Sequence, residues 1–261
     1  MLADRLGLSA LSHHLFEEDP QLRMLLIAAL AALTSIALAA AAIAQDPDVS
    51  QSVSVSPSKT GSKSKPRAVK IKTFIKNNVP STTASKIDIL FPGTVKISGE
   101  GLTACPAAEF SKPGGKANCK STSKAGSGVS HAVVGPQRAP LNFNVTAYVG
   151  GDTTVIFYIE QIGGSVTKAL IGKISRASGK YRQKLSIAIP ADLQQPAPGL
   201  YGALTDLTST LYNTKRDRSL ISTTDCKDKK HSFGSKLAYA PNPAPPPQPS
   251  ATGSTTARCS G

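Results

Sequence analysis

Apolar and polar residues alternate with a period of two through most of the chain beyond residue 68, the pattern of strands that bury one face. Val69, Ile71, Thr73 and Ile75 fall on one side of such a segment and Lys70, Lys72 and Lys76 on the other. The same reading applies to Ile87, Ile89 and Phe91, to Leu141, Phe143, Val145 and Ala147, and to Val155, Phe157 and Ile159. It also applies to Tyr181, Leu185, Ile187 and Ile189, set against Lys180, Arg182 and Lys184. Further candidates surround Leu204 to Leu211, Leu220 to Thr224 and Phe233 to Tyr239, with Asn77-Asn78, Pro92-Gly93, Gly150-Gly151, Gly163-Gly164 and Ser178-Gly179 as turn signals between strands. About ten to twelve short strands predict an all-β fold, an antiparallel immunoglobulin-like β-sandwich over 68–240, or two fused sandwiches with a seam at 135–140. Helical periodicity is nearly absent after Gln45, apart from a turn at Pro190 to Gln195. The lack of alternating strands and helices excludes parallel-sheet nucleotide-binding architectures.

The N-terminal region follows a different pattern. Met24 to Ala44 is an apolar run without charge, interrupted only by Thr34 and Ser35. At about 1.5 Å per residue a helix of this length reaches roughly 31 Å, enough to span a bilayer. Ala42, Ile43 and Ala44 form a small-x-small cleavage pattern, and Gln45, Asp46 and Pro47 make a polar start, so the run is read as the apolar region of a signal peptide cleaved after Ala44. An uncleaved anchor is the alternative. Residues 1–23 carry Asp4, Glu17, Glu18 and Asp19 against Arg5 and Arg23, a poor fit to a positive leader, and a translation start near Leu22 would remove the mismatch.

Cys105, Cys119, Cys226 and Cys259 all lie beyond that cleavage point, and an even number in an exported chain predicts disulfides. Three pairings are open. Cys105 with Cys119 is preferred because the intervening Pro-, Gly- and Lys-rich segment reads as a loop needing a staple, which leaves Cys226 with Cys259. No cysteine pair has zinc-knuckle spacing, and His131 and His231 stand alone, so no metal is expected.

Composition sharpens the picture through charge. The chain has 30 basic and 16 acidic residues, a net charge of +14. Without residues 1–44 the balance is 28 to 12, or +16. Lys112, Lys116, Lys120 and Lys124 recur around the first cysteine loop, while Lys215, Arg216 and Arg218 with Lys227, Lys229 and Lys230 flank the second cysteine region. These ten are the candidate anion-binding surface, with anionic envelope polymers or a membrane surface as partners. Solvated lysines that keep strand edges from pairing are the plainer explanation. Nucleic acid is disfavoured, since export removes it and a chain without Trp offers few stacking platforms. Residues 45–67 read as a basic, flexible connector with one short strand. Pro241 to Pro249 reads as an extended spacer in a Pro-rich tail, 241–261, that carries Cys259 back to the body.

Three segments, AYAPNPAPPPQPSAT with its late cysteine, LQQPAPGLYGALTDL, and CPAAEFSKPGGKANCKSTSKAGSGVSHAVVGP, resemble a group of uncharacterised secreted bacterial proteins. The resemblance covers most of the chain from Ser56. It implies a signal peptide and a β-rich body, and it implies no activity, cofactor or catalytic residue. In those relatives Pro follows the second loop cysteine where this chain has Lys120.

Catalytic signatures are sparse. Beyond the leader only His131 and His231 remain as bases. His131, in phase with Val129 and Val133, is expected to face inward, and His231, after the charged turn CKDKK, to be solvated. There is no Gly-x-Ser-x-Gly elbow, no promising carboxylate pair and no phosphate-cradling glycine loop before a helix. The expectation is an exported noncatalytic protein without cofactor, secreted or associated with the cell envelope. An extracellular hydrolase of unrecognised type is the alternative.

Overall fold

The structure, a computed structural model, describes residues 48–79, 81–241 and 250–261. The expected leader, its cleavage site and most of the proline spacer lie outside these residues. Sixteen strands follow in chain order: β1 (Val49–Ser56), β2 (Arg67–Ala68), β3 (Lys70–Asn77), β4 (Ala84–Pro92), β5 (Val95–Ile97), β6 (Lys124–Val134), β7 (Ala139–Gly151) and β8 (Thr154–Gln161), then β9 (Thr167–Arg176), β10 (Tyr181–Ala188), β11 (Gly202–Leu211), β12 (Thr214–Lys215), β13 (Arg218–Ser219), β14 (Ile221–Thr223), β15 (Lys230–Tyr239) and β16 (Ser250–Arg258).

The alternation has its expected consequence in β3, where Ile71, Thr73, Ile75 and Asn77 are buried and Lys70, Lys72 and Lys76 are exposed. The fold is all-β, but the strands do not divide into two packed layers. Eleven of them form one continuous sheet in the order β1-β3-β11-β6-β7-β8-β9-β10-β4-β15-β16, with every pairing antiparallel. An odd number of alternating strands leaves β1 and β16 running the same way. They meet in a short seam that nearly closes the sheet into a barrel. The Thr60 N–H donates to the Ser260 carbonyl at 2.8 Å and the Ser260 N–H to the Ser58 carbonyl at 3.0 Å. Farther along the seam, Gly253 lets the two backbones approach: a Cβ there would sit 2.8 Å from the Val49 carbonyl oxygen.

The expected seam at 135–140 is instead the tight connection of the β6–β7 hairpin, where Val134 pairs with Ala139. The connector after residue 45 holds a full strand, β1, and the C-terminal tail supplies β16, paired with β15 along its length. Both expected disulfides are present, Cys105–Cys119 and Cys226–Cys259. They are consistent with an oxidising compartment.

Val95 and Ile97 on β5 and Ile221 on β14 are almost fully buried, in a three-stranded sheet, β2-β14-β5, that plugs one end of the barrel. Gln183, in phase with Leu185 on the interior face of β10, fixes this plug. Its amide donates to the Ile97 carbonyl and accepts the Ile97 N–H, both at 3.0 Å. The opposite end is the mouth, spanned by a single helical turn, α1 (Ala191–Gln194), at the predicted position.

Candidate functional site

The mouth is open inside because of the residue sizes that the strands direct inward. Gly126, Gly128, Ser130 and Ala132 share the inner face of β6. A Cβ at Gly126 or Gly128 would overlap the Thr210 or Thr208 carbonyl of β11. Small side chains are therefore required where β6 and β11 crowd, and toward the mouth Ser130, Ala132, Ala84 and Gly202 leave space that Phe143 and Phe157, on the neighbouring strands β7 and β8, do not fill. The result is a cavity of about 420 Å³, partly open to solvent, with Ile87, Ile159, Ile187 and Leu207 among its walls. Leu193 of α1 packs over it. Among the lining residues only Lys168 and Asp192 carry charge, and the two form an ion pair at the rim.

At the plugged end lies a second concavity, also about 420 Å³, built by segments distant in sequence. Arg67 on β2, Lys96 on β5, Arg216 in the β12–β13 turn and Arg218 on β13 converge there with Ser98, Ser219 and Ser222. Glu100 and Asp217 offset part of the charge, with Arg218 Nη1 4.0 Å from Glu100 Oε1. Four cations against two acids leave the groove net positive.

The predicted basic residues divide accordingly. Arg216 and Arg218 enter the groove, whereas Arg67 and Lys96 had no sequence signal, since their convergence depends on pairing between β2, β14 and β5. Lys112 is paired with Glu109 at 2.6 Å and Lys116 with Glu160 at 2.5 Å, so half of the first-loop cluster is neutralised. The hydrogen bond to Glu160 raises the Lys116 pKa above the usual lysine value, outweighing the lowering by burial. That loop lies against the outside of the barrel, where Phe110 meets Tyr148 and Tyr158 at ring-centre distances of 5.2 and 5.4 Å. Lys120, Lys124, Lys215, Lys227, Lys229 and Lys230 are exposed and line neither concavity.

The two histidines exchange their expected environments. His131 points outward, its side chain 45% exposed, with Nδ1 2.6 Å from Asp206 Oδ1. The reason is the phase of β6, which reserves the inner face for small residues. His231 is fully buried on the inner face of β15, in phase with Phe233, Ser235 and Leu237. Its Nδ1 is 2.8 Å from Thr94 Oγ1. Burial lowers its pKa below the usual histidine value, against a weaker upward pull from Asp225. Neither histidine lines the mouth cavity or the basic groove. Among the described residues no group of three or more His, Cys, Asp or Glu is placed to hold a metal ion.

No protein-family model matches the chain, and no curated protein sequence does. One solved structure, titled "AvmM Catalyzes Macrocyclization in Alchivemycin A Biosynthesis", aligns over 83% of this chain and 90% of its own at 6% identity and a TM-score of 0.29. A likeness that slight transfers neither fold nor function.

Proposed function

We propose that this protein is an exported, noncatalytic binding protein whose barrel mouth holds a small, mainly apolar molecule. The observation that carries this reading is the apolar cavity itself, whose volume lies within the range of small-molecule sites. Empty apolar space sacrifices packing, and an occupant restores it. The test uses a neutral fluorescent dye, N-phenyl-1-naphthylamine, titrated into the oxidised protein. Saturable enhancement that disappears in Ala132→Phe, a variant that fills the space beside Phe143, is the expected result. Equal enhancement in both proteins, or none in either, would remove the cavity from consideration as a ligand site.

A second reading concerns the basic groove, and the convergence of Arg67, Lys96, Arg216 and Arg218 favours it. This groove binds an anionic polymer of the cell envelope and positions the protein there. Retention on immobilised polyphosphate tests the idea. Because exposed charges are screened beyond about 10 Å at 0.1 M salt, salt should elute the protein, and R216A/R218A should elute distinctly earlier than K112A/K116A. Co-elution of the two variants would locate the attraction in overall charge and not in the groove.

A further inference from the structure

The geometry points to an amphipathic monocarboxylate as the occupant of the mouth, with its apolar body inside the barrel and its carboxylate on Lys168 in place of Asp192. This inference rests on the cavity reading above and adds the chemical class of the ligand. Lys168 belongs to the barrel wall: it pairs across the ladder with Ile159 and lies on the same inner face of β9 as Leu170 and Ile174. Its aliphatic stem therefore runs along apolar surface while its ammonium reaches the rim, the usual compromise for a long cationic side chain.

The carboxylate facing it is of a different kind. Asp192 sits on the one-turn α1 that spans the mouth, and its side chain is the more exposed of the two, 59% against 39% for Lys168. The wall thus provides a fixed cation at the entrance of an apolar chamber, and the cap places a carboxylate on it from the solvent side. An exposed ion pair contributes little to stability, so one carboxylate replaces another with small loss. Among the described residues no other charged side chain lines the cavity. A single ammonium neutralises one negative charge, which favours a monoanion over a phosphate dianion. A cationic ligand would meet Lys168 directly, and a neutral one would leave the existing pair undisturbed and gain nothing from it.

Competition against the bound neutral dye tests this with two ligands of matched chain, decanoate and decan-1-ol, on the oxidised wild-type protein, D192N and K168Q. Decanoate should displace the dye at severalfold lower concentration than the alcohol, the scale of one exposed charge-assisted contact. Asp192→Asn removes the competing carboxylate and should tighten decanoate severalfold while leaving the alcohol unchanged. Lys168→Gln should abolish the difference between acid and alcohol. Dye binding in wild type with equal displacement by both ligands, or an Asp192→Asn variant that binds dye but weakens decanoate, overturns the carboxylate assignment and leaves the cavity reading standing. Failure of the dye to bind wild type overturns both.

Discussion

His231 shows how one inward-facing residue links the sheet's register to a measurable pH response. Burial lowers the pKa of its imidazole, whereas in the unfolded chain it titrates near the ordinary value of about 6.5. Below that pH the unfolded state binds a proton that the folded state does not, so stability falls as pH drops from about 6.5 toward the lowered folded-state pKa. The slope attributable to one such group approaches about 1.4 kcal/mol per pH unit. Urea midpoints measured from pH 7.5 to 5 should decline in the wild type and decline less steeply in His231→Gln. Parallel profiles would mean that His231 carries its proton in the fold. The sequence suggested the reverse environments for His231 and His131 because Val129 and Val133 flank His131. What decided the matter was Gly126, Gly128, Ser130 and Ala132, the alternate set, whose small size reads as weakness in a single strand and as a requirement once β11 lies beside it.

Strands with strong alternation, β3, β4, β7, β8 and β10, were legible because their buried faces are written in Val, Ile, Leu and Phe at every second position. β16, SATGSTTAR, was not, because its inner face consists of Ala251, Gly253, Thr255 and Ala257 and carries no large apolar residue. Those small residues are what its position demands, since the inner side of β16 meets β1 at the seam. The consequence can be measured at Gly253. A methyl there meets the Val49 carbonyl at 2.8 Å and Ser235 Oγ at 2.9 Å, and overpacking of this kind costs about 1–3 kcal/mol. For a domain of this size that corresponds to a fall of roughly 2–10 °C in Tm. Gly253→Ala should show it, and Ser254→Ala, on the exposed outer side of the same strand, should not. Similar melting of the two variants would mean that β1 and β16 do not touch at this point.

At the scale of the whole molecule, period-two alternation shows that each strand buries one face without specifying whether the faces meet across two layers or around a ring. That choice lies in long-range pairings such as β10 with β4 and β11 with β3, which leave no local trace. The same limit hid the mouth cavity, whose lining comes from seven strands and a helical turn, while half of the basic groove was visible as Arg216 and Arg218. The cysteines, by contrast, were legible, and their positions relative to the ring give them unequal duties. Cys105–Cys119 closes a 14-residue separation in a loop lying outside the barrel, whereas Cys226–Cys259 spans 33 residues and ties the end of β16 to the entry of β15. In the chain-entropy model the two are worth about 3 and about 4 kcal/mol, a modest difference, but the structural effects diverge. β16 has one ladder partner, so without its crosslink the seam loses the covalent tie that returns Ser260 to Ser58 and Thr60. Hydrogen exchange should therefore show residues 250–258 losing protection in C226S/C259S while β7 and β8 keep theirs. In C105S/C119S the new exchange should be confined to the loop around Phe110. Uniform loss across the sheet in C226S/C259S would show that the barrel opens as a single cooperative unit and that its closure depends on the tail from the start.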